Sequence, residues 1–275
     1  MKKIIVTDLD GTLFNSKTEI SLTDIETLRL LGKKDIIRVI ATGRSMFSAI
    51  NSLPIDFPIE YIISSSGAAI FDWKTKELLK SFSINKNDSL KVFEALVKRK
   101  VDFSIQMPVP ENHNYFFVKS TTNNPDFERR NNLYKSYAKE IKKSYFETQE
   151  TCQFIAIVNG NKSLDVFNEI KRELKILKVI RSTSPIDGKS LWIEIYHSGV
   201  SKANGIKFIA NLHKIEKENI LTIGNDYNDL DMLRWSKNSF VVSNSPKEIK
   251  DEFQLVSSND ESGFSAAVNQ WLLLN

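Results

Sequence analysis

The sequence has a single cysteine, Cys152, in 275 residues, so no internal disulfide framework holds the chain together. No run of apolar residues approaches the ~20 needed to cross a bilayer, and the first residues lack the apolar stretch of a secretory leader. A cytoplasmic protein with no membrane attachment is therefore expected. Internal repeats and low-complexity tracts are absent too, which sets aside repeat arrays and biased tails. A large charge excess is also missing, the net charge being +4. Residues 85–189 hold 19 Lys/Arg against 13 Asp/Glu, but these lysines are scattered through helical patterns, as on a solvated face. Nucleic-acid binding is not expected.

Apolar residues make up 41% and charged residues 26%, ordinary values for a globular chain with a sizeable core. The length exceeds that of one typical compact domain, which suggests a core with a second unit. Ile4 to Val6 read as a buried strand ending in the turn-like stretch Asp8 to Gly11. Ser21 and Asp24 resemble a capping box ahead of Leu22, Ile25, Leu28 and Leu31, which recur at helical spacing. Strands at 36–41 and 61–64 follow, with a helix from Ser45 between them and a hairpin over 68–82. Beyond Gly199 the alternation resumes, with strands at 220–223 and 240–242 and a last helix over 264–274. Alternating strands and helices predict an α/β fold, doubly wound around a mostly parallel sheet.

Residues 85–189 break this pattern. A helix around Leu90 to Val97 is followed by Val101, Phe103, Ile105 and Met107 in strict alternation. Further strands are expected at 115–119, 153–158, 179–183 and 191–196, with a helix over 164–174. One-sided strand patterning predicts an inserted α+β unit with its helices on one sheet face. The division is then 1–84 and 190–275 for the core and 85–189 for the insertion.

Four constellations sit at the carboxyl ends of predicted core strands, where open α/β sheets bind ligands. Asp8-Leu9-Asp10-Gly11-Thr12 brings two carboxylates to one crevice, where one can attack and the other manage protons. An EF-hand calcium loop does not fit, because Leu13 stands at its sixth position. Ala41-Thr42-Gly43-Arg44 offers a hydroxyl and, at Gly43, a backbone amide near a helix N-terminus. Lys202 falls in the first turn of a helix capped by Ser201, a locally unfavourable place for a cation, so a negative partner such as phosphate is expected. Gly224-Asn225-Asp226-Tyr227-Asn228-Asp229 supplies more hard oxygen ligands than capping needs, in a set suited to Mg2+.

In order and residue type these motifs resemble the haloacid dehalogenase (HAD) superfamily. With Leu-Phe-Asn-Ser at 13–16, Gly-Val-Ser-Lys at 199–202, Asn-Asp-Leu-Asp-Met-Leu at 228–233 and Ser-Asn-Asp-Glu-Ser-Gly at 258–263, they resemble its Cof-like phosphatase branch. The resemblance implies a Rossmannoid core with an inserted cap that hinges over the site. It implies an Mg2+-dependent phosphatase acting on a small phosphorylated metabolite, such as a sugar phosphate or phosphorylated cofactor. Asp8 would be the nucleophile and Asp10 the acid and base, while Thr42 and Lys202 would hold the phosphoryl oxygens. Gly43, Arg44, Ser66, Gly67 and Asn228 would line the substrate position, with Asn244 matching a further position near the phosphate.

The metal would take Asp8, the carbonyl of Asp10 and the acidic motif, including Asp229. That motif departs from the family, with Asn225 where Asp is usual and Asp226 one place later; Asp226 is the preferred ligand, with Asn225 nearby. Ser66 likewise replaces the usual Asn before Gly67. Phosphoryl transfer to a sugar hydroxyl, as in phosphomannomutases, or a catalytically weak binding role are the alternatives. Tyr115, Arg129 and Arg130 are candidates for substrate selection, and the oligomeric state is left open.

Overall fold

Five strands with near-continuous β-branched and apolar residues build a parallel sheet: β1 (Ile4–Thr7), β2 (Ile37–Ala41), β3 (Tyr61–Ser64), β12 (Ile220–Gly224) and β13 (Asn238–Val242). The computed structural model describes residues 2–141, 150–184 and 186–274. Its described residues form two units, Met1–Lys80 with Ser201–Asn275, and Ser81–Val200.

In the first unit, β4 (Ala69–Asp72), β5 (Leu78–Ser81) and β14 (Gln254–Val256) complete an eight-stranded sheet of order β14-β13-β12-β1-β2-β3-β4-β5. Pairing is parallel from β14 to β3 and antiparallel between β3 and β4. The expected hairpin is β4–β5, its turn fixed by the Asp72 carboxylate accepting the Thr75 N–H at 2.8 Å. Ile4 and Val6 face one side of the sheet, where α6 (Lys202–His213), α7 (Leu230–Trp235) and α8 (Lys247–Lys250) contribute Ile206, Ile209, Met232, Leu233 and Ile249 to one core. On the other side α1 (Leu22–Lys33) lies against β2, and α9 (Gly263–Leu274) against β12 and β13. Both faces are covered, as a continuous apolar strand pattern requires. Ser21 caps α1 by accepting the Asp24 N–H, and Asp24 also accepts the Ser265 N–H, tying α1 to α9. The short α2 (Met46–Ile50) follows β2.

The second unit has a six-stranded sheet of order β10-β11-β9-β6-β7-β8. Its strands are β6 (Asp102–Gln106), β7 (Tyr115–Val118), β8 (Ala138–Glu140), β9 (Gln153–Val158), β10 (Lys178–Thr183) and β11 (Leu191–Tyr196). All pairs are antiparallel except β7–β8. Helices α3 (Lys86–Lys98) and α5 (Ser163–Glu173) pack Val92, Leu96, Phe167 and Ile170 against Phe103, Ile105, Phe154 and Ile195.

The structure differs from the sequence reading in two respects here. The insertion ends at Val200 rather than 189, because β11 pairs with β9 and β10 and so belongs to this sheet. Helices do not occupy one face only: Phe127 of α4 (Pro125–Leu133) packs with Ile155 and Ile157 on the opposite face. The Asp126 carboxylate secures α4 by accepting from Trp192 Nε1 at 2.7 Å and Ser184 Oγ at 3.0 Å.

Candidate active site

Four strand ends at one edge of the first sheet supply the site. After β1, Thr7 Oγ1 donates to the Asp8 carbonyl at 2.8 Å, and the Asp8 N–H reaches the Ile223 carbonyl of β12 at 2.9 Å. The chain then turns sharply through Asp10 and Gly11, and the Phe14 N–H closes the turn on the Leu9 carbonyl at 2.8 Å. Gly11 has φ 73°, a conformation that favours glycine, and a Cβ there would stand 2.6 Å from Asn225 Nδ2, so a larger residue would also displace the Asn225 amide. Residues after β13 and β14 brace this turn: Asn244 Nδ2 donates to the Gly11 carbonyl, and Asn259 Nδ2 to that of Phe14.

Lys202 begins α6 behind its Ser201 cap, where the Asn204 N–H meets Ser201 Oγ at 3.0 Å. It is 1% exposed, and its Nζ donates to Asp8 Oδ1 and to Asp229 Oδ1, both at 2.6 Å. The negative partner expected for this cation is thus supplied by two carboxylates of the chain itself. Burial works against the ammonium, but Asp229 and Asp8 more than offset it and hold its pKa above the ordinary lysine range. Two carboxylates share one ammonium, so one negative charge stays uncompensated. Burial, followed by the charge of Asp229, pushes Asp8 up to about 8 despite Lys202. Removing Lys202 would strand both buried carboxylates, at a cost on the order of 3–5 kcal/mol.

Asp229 is fully buried, and its Oδ2 accepts the N–H groups of Asn225 and Asp226 at 2.9 and 3.1 Å. Both its oxygens therefore serve protein donors. Asp226 caps the short turn Tyr227–Asp229, accepting the Asp229 N–H while Asp229 returns the bond. Asn225 instead faces the Asp8 turn, with Thr12 Oγ1 donating to its Oδ1 at 3.0 Å. Asn225 thus lies against Gly11 and Thr12, whereas Asp226 caps the Tyr227–Asp229 turn.

After β2 the Thr42 N–H donates to the Ile63 carbonyl, and Thr42 Oγ1 accepts the Arg44 N–H at 3.1 Å, which leaves the hydroxyl proton as a donor. After β3 the chain turns back through Ser65, Ser66 and Gly67, all with positive φ. The Ser66 N–H holds the Thr42 carbonyl at 2.9 Å and the Ser65 N–H that of Arg44 at 2.8 Å. Gly43 is where three expected residues converge: a Cβ there would lie 3.8 Å from both Ser66 Oγ and Asn228 Nδ2. Gly67 packs on the Ser201 backbone at the start of α6.

Arg44 behaves differently from expectation. Its Nε donates to Asp10 Oδ2 at 2.8 Å and its Nη2 to Asp10 Oδ1 at 2.6 Å, so it grips the second carboxylate of the motif rather than lining an open position. Thr12 and Ser52, the latter bonded to Arg44 Nη1, were not among the expected site residues. Thr12 was signalled by its place in the Asp8 motif, whereas Ser52 carries no signal in the sequence. Tyr115, Arg129 and Arg130 lie in the second unit, where the buried Arg130 stacks on Tyr115 and donates to Ser104.

The donor set suits a divalent cation. Asp8, Asp10, Asp226 and Asp229 outnumber Lys202 and Arg44, and burial with the charge of Asp229 disfavours a bare carboxylate at Asp8, which a bound cation would relieve. Among the described residues no three His, Cys, Asp or Glu side chains are gathered as a metal cage. Mg2+ does not call for one, since it takes one or two carboxylates and fills its shell with carbonyl, substrate and water oxygens.

Residues 5–268 match the family model of the haloacid dehalogenase-like hydrolases, and the chain belongs to that family. It is 25% identical to the 5-amino-6-(5-phospho-D-ribitylamino)uracil phosphatase YwtE of Bacillus subtilis, over 98% of each chain. Its fold is shared with BT1666, a HAD-superfamily phosphatase of Bacteroides thetaiotaomicron, at a TM-score of 0.80 and 21% identity over 99% of this chain and 96% of that one. The HAD subclass IIB sugar phosphatase BT4131 aligns at a TM-score of 0.79 and 19% identity over 98% of this chain and 99% of that one. No helix among the described residues is long and apolar enough to cross a membrane.

Proposed function

We propose that the chain is a magnesium-dependent phosphatase that hydrolyses small phosphate monoesters through an aspartyl phosphate on Asp8. The observation that carries this reading is the buried Asp8–Lys202–Asp229 chain, with both bonds at 2.6 Å, at the carboxyl edge of the sheet. It fixes one Asp8 oxygen on a buried cation at the end of β1. The names of YwtE and BT4131 attach phosphate monoesters of polyhydroxylated compounds to proteins of this fold, which supports sugar phosphates or phosphorylated cofactors as the substrate class.

Asp8 attacks phosphorus, and the leaving oxygen departs with a proton from Asp10. Water then attacks the phosphorus of the aspartyl phosphate, giving its proton to Asp10 and releasing Asp8. Lys202, the Thr42 hydroxyl, the Gly43 amide, Ser66, Gly67 and Asn228 hold the phosphoryl oxygens, the positioning on which phosphoryl transfer chiefly depends. Mg2+ when bound would supply positive charge to the transferring phosphoryl group, held by the Asp8 carboxylate, the Asp10 carbonyl and the Asn225 amide oxygen. Asp229 acts by orienting Lys202 and the 225–226 backbone.

The test is hydrolysis of para-nitrophenyl phosphate by the full chain. Turnover is expected with Mg2+, is lost with EDTA and returns on adding Mg2+. Asp8→Asn is expected to lower kcat by at least ~10³-fold with the fold intact by circular dichroism. Turnover that survives in Asp8→Asn would overturn the assignment, and no turnover across a broad phosphate-ester panel would favour a binding role.

A further inference from the structure

We propose that Arg44 is a positioning residue that sets the carboxylate of Asp10 for proton transfer, rather than a ligand of the substrate phosphate. The inference rests on the reading of Asp10 as the acid and base of the phosphatase. Asp10 stands in a turn with non-helical φ and ψ of −77° and 119°, and its side chain is 37% exposed. The fork of Arg44 fixes the plane of its carboxylate through three contacts, Nε to both oxygens at 3.1 and 2.8 Å and Nη2 to Oδ1 at 2.6 Å.

Arg44 is itself anchored. Its Nη1 donates to Ser52 Oγ at 2.5 Å, and Ser52 Oγ donates in turn to the Ser48 carbonyl in α2 at 2.8 Å. The guanidinium lies over the Phe14 ring, 5.3 Å from its centroid, on the residue that closes the Asp10 turn. The Arg44 main chain is held by Thr42 Oγ1 on one side and by the Ser65 N–H on the other. All three guanidinium nitrogens donate within the protein, two of them to the same carboxylate. A lysine could supply one charge but not the planar fork.

The test reads the dependence of kcat/KM on leaving-group basicity, using a series of ring-substituted phenyl phosphates from para-nitro to para-methoxy. Para-nitrophenolate leaves without a proton, whereas the more basic phenols need one, so a misplaced acid steepens the slope. Arg44→Ala is expected to lower kcat/KM by under ~3-fold on para-nitrophenyl phosphate and by ~10–100-fold at the basic end, a part of the 10²–10⁴ that proton transfer contributes. Arg44→Lys keeps the steep slope, and guanidinium ion added to Arg44→Ala flattens it. Ser52→Ala, which removes the anchor and keeps the fork, steepens it by less and carries the test should Arg44→Ala fail to fold.

A parallel loss on every ester in Arg44→Ala and Ser52→Ala would make Arg44 a phosphate ligand and overturn the proposal. Asp10→Asn separates the two levels. It must itself steepen the slope, and if it does not, the assignment of Asp10 falls and the role of Arg44 with it. A steep Asp10→Asn beside a parallel Arg44→Ala overturns the role of Arg44 alone.

Discussion

Asn225 stands where the motif that the sequence resembles usually has Asp, and its surroundings give the difference a consequence. The Thr12 hydroxyl and the close approach of Gly11 aim its amide at the Asp8 turn. An amide oxygen is a neutral donor, and affinity for a hard cation rises with the number of charged ligands. Asn225→Asp is therefore expected to tighten Mg2+ binding by roughly tenfold or more, measured by isothermal titration calorimetry without substrate. Unchanged affinity would place residue 225 outside the cation's shell. The places of Asp8, Asp10, Thr42 and Lys202 in the fold were legible in the sequence because each is tied to the end of a strand or the start of a helix. The fork of Arg44 was not, because it depends on where α2 delivers Ser52, nor was the cap made by Asp226, which is visible only once the Tyr227–Asp229 turn is folded.

At the scale of elements, the return after β3 is tightly constrained. Gly67 has φ 106°, and a Cβ there would lie 2.3 Å from the Ser201 carbonyl oxygen at the start of α6. Neither atom belongs to a flexible side chain, so backbone must move. Gly67→Ala is expected to destabilise the fold by about 3 kcal/mol, whereas Gly43→Ala, whose Cβ would meet nothing closer than 3.8 Å, costs within about 0.5 kcal/mol. Denaturant unfolding of both variants checks the contrast, and equal losses would contradict it. Strands were readable where period-two or continuous apolar patterns ran for three residues or more, as in β1, β2, β6 and β9. β14 escaped notice because it is three residues long, with Gln254 and Leu255 exposed. α4 escaped because Phe127 is its one buried apolar side chain, too little to show a helical period, and the expectation of a single covered face in the insertion failed with it.

At the scale of the whole chain, the alternation of strands and helices correctly gave a doubly wound core interrupted by an α+β insertion. The boundary after 189 did not survive, because the pairing of β11 with β9 and β10 appears only in the folded sheet. The charge arithmetic of the site is also a property of the whole chain. Asp8 comes from the N-terminal segment, while Lys202 and Asp229 lie 194 and 221 residues beyond it, and the fold returns after the insertion to bring them together. This assembly makes sense as chemistry if Asp8 carries the phosphoryl group. The direct measurement is to mix the full chain with Mg2+ and a phosphate ester that turns over, quench in acid, reduce with borohydride and map the peptides by mass spectrometry. An acyl phosphate on Asp8 predicts conversion of that residue alone to homoserine, dependent on substrate and Mg2+. An unmodified Asp8 during demonstrated steady turnover, or homoserine at another aspartate, would contradict the account.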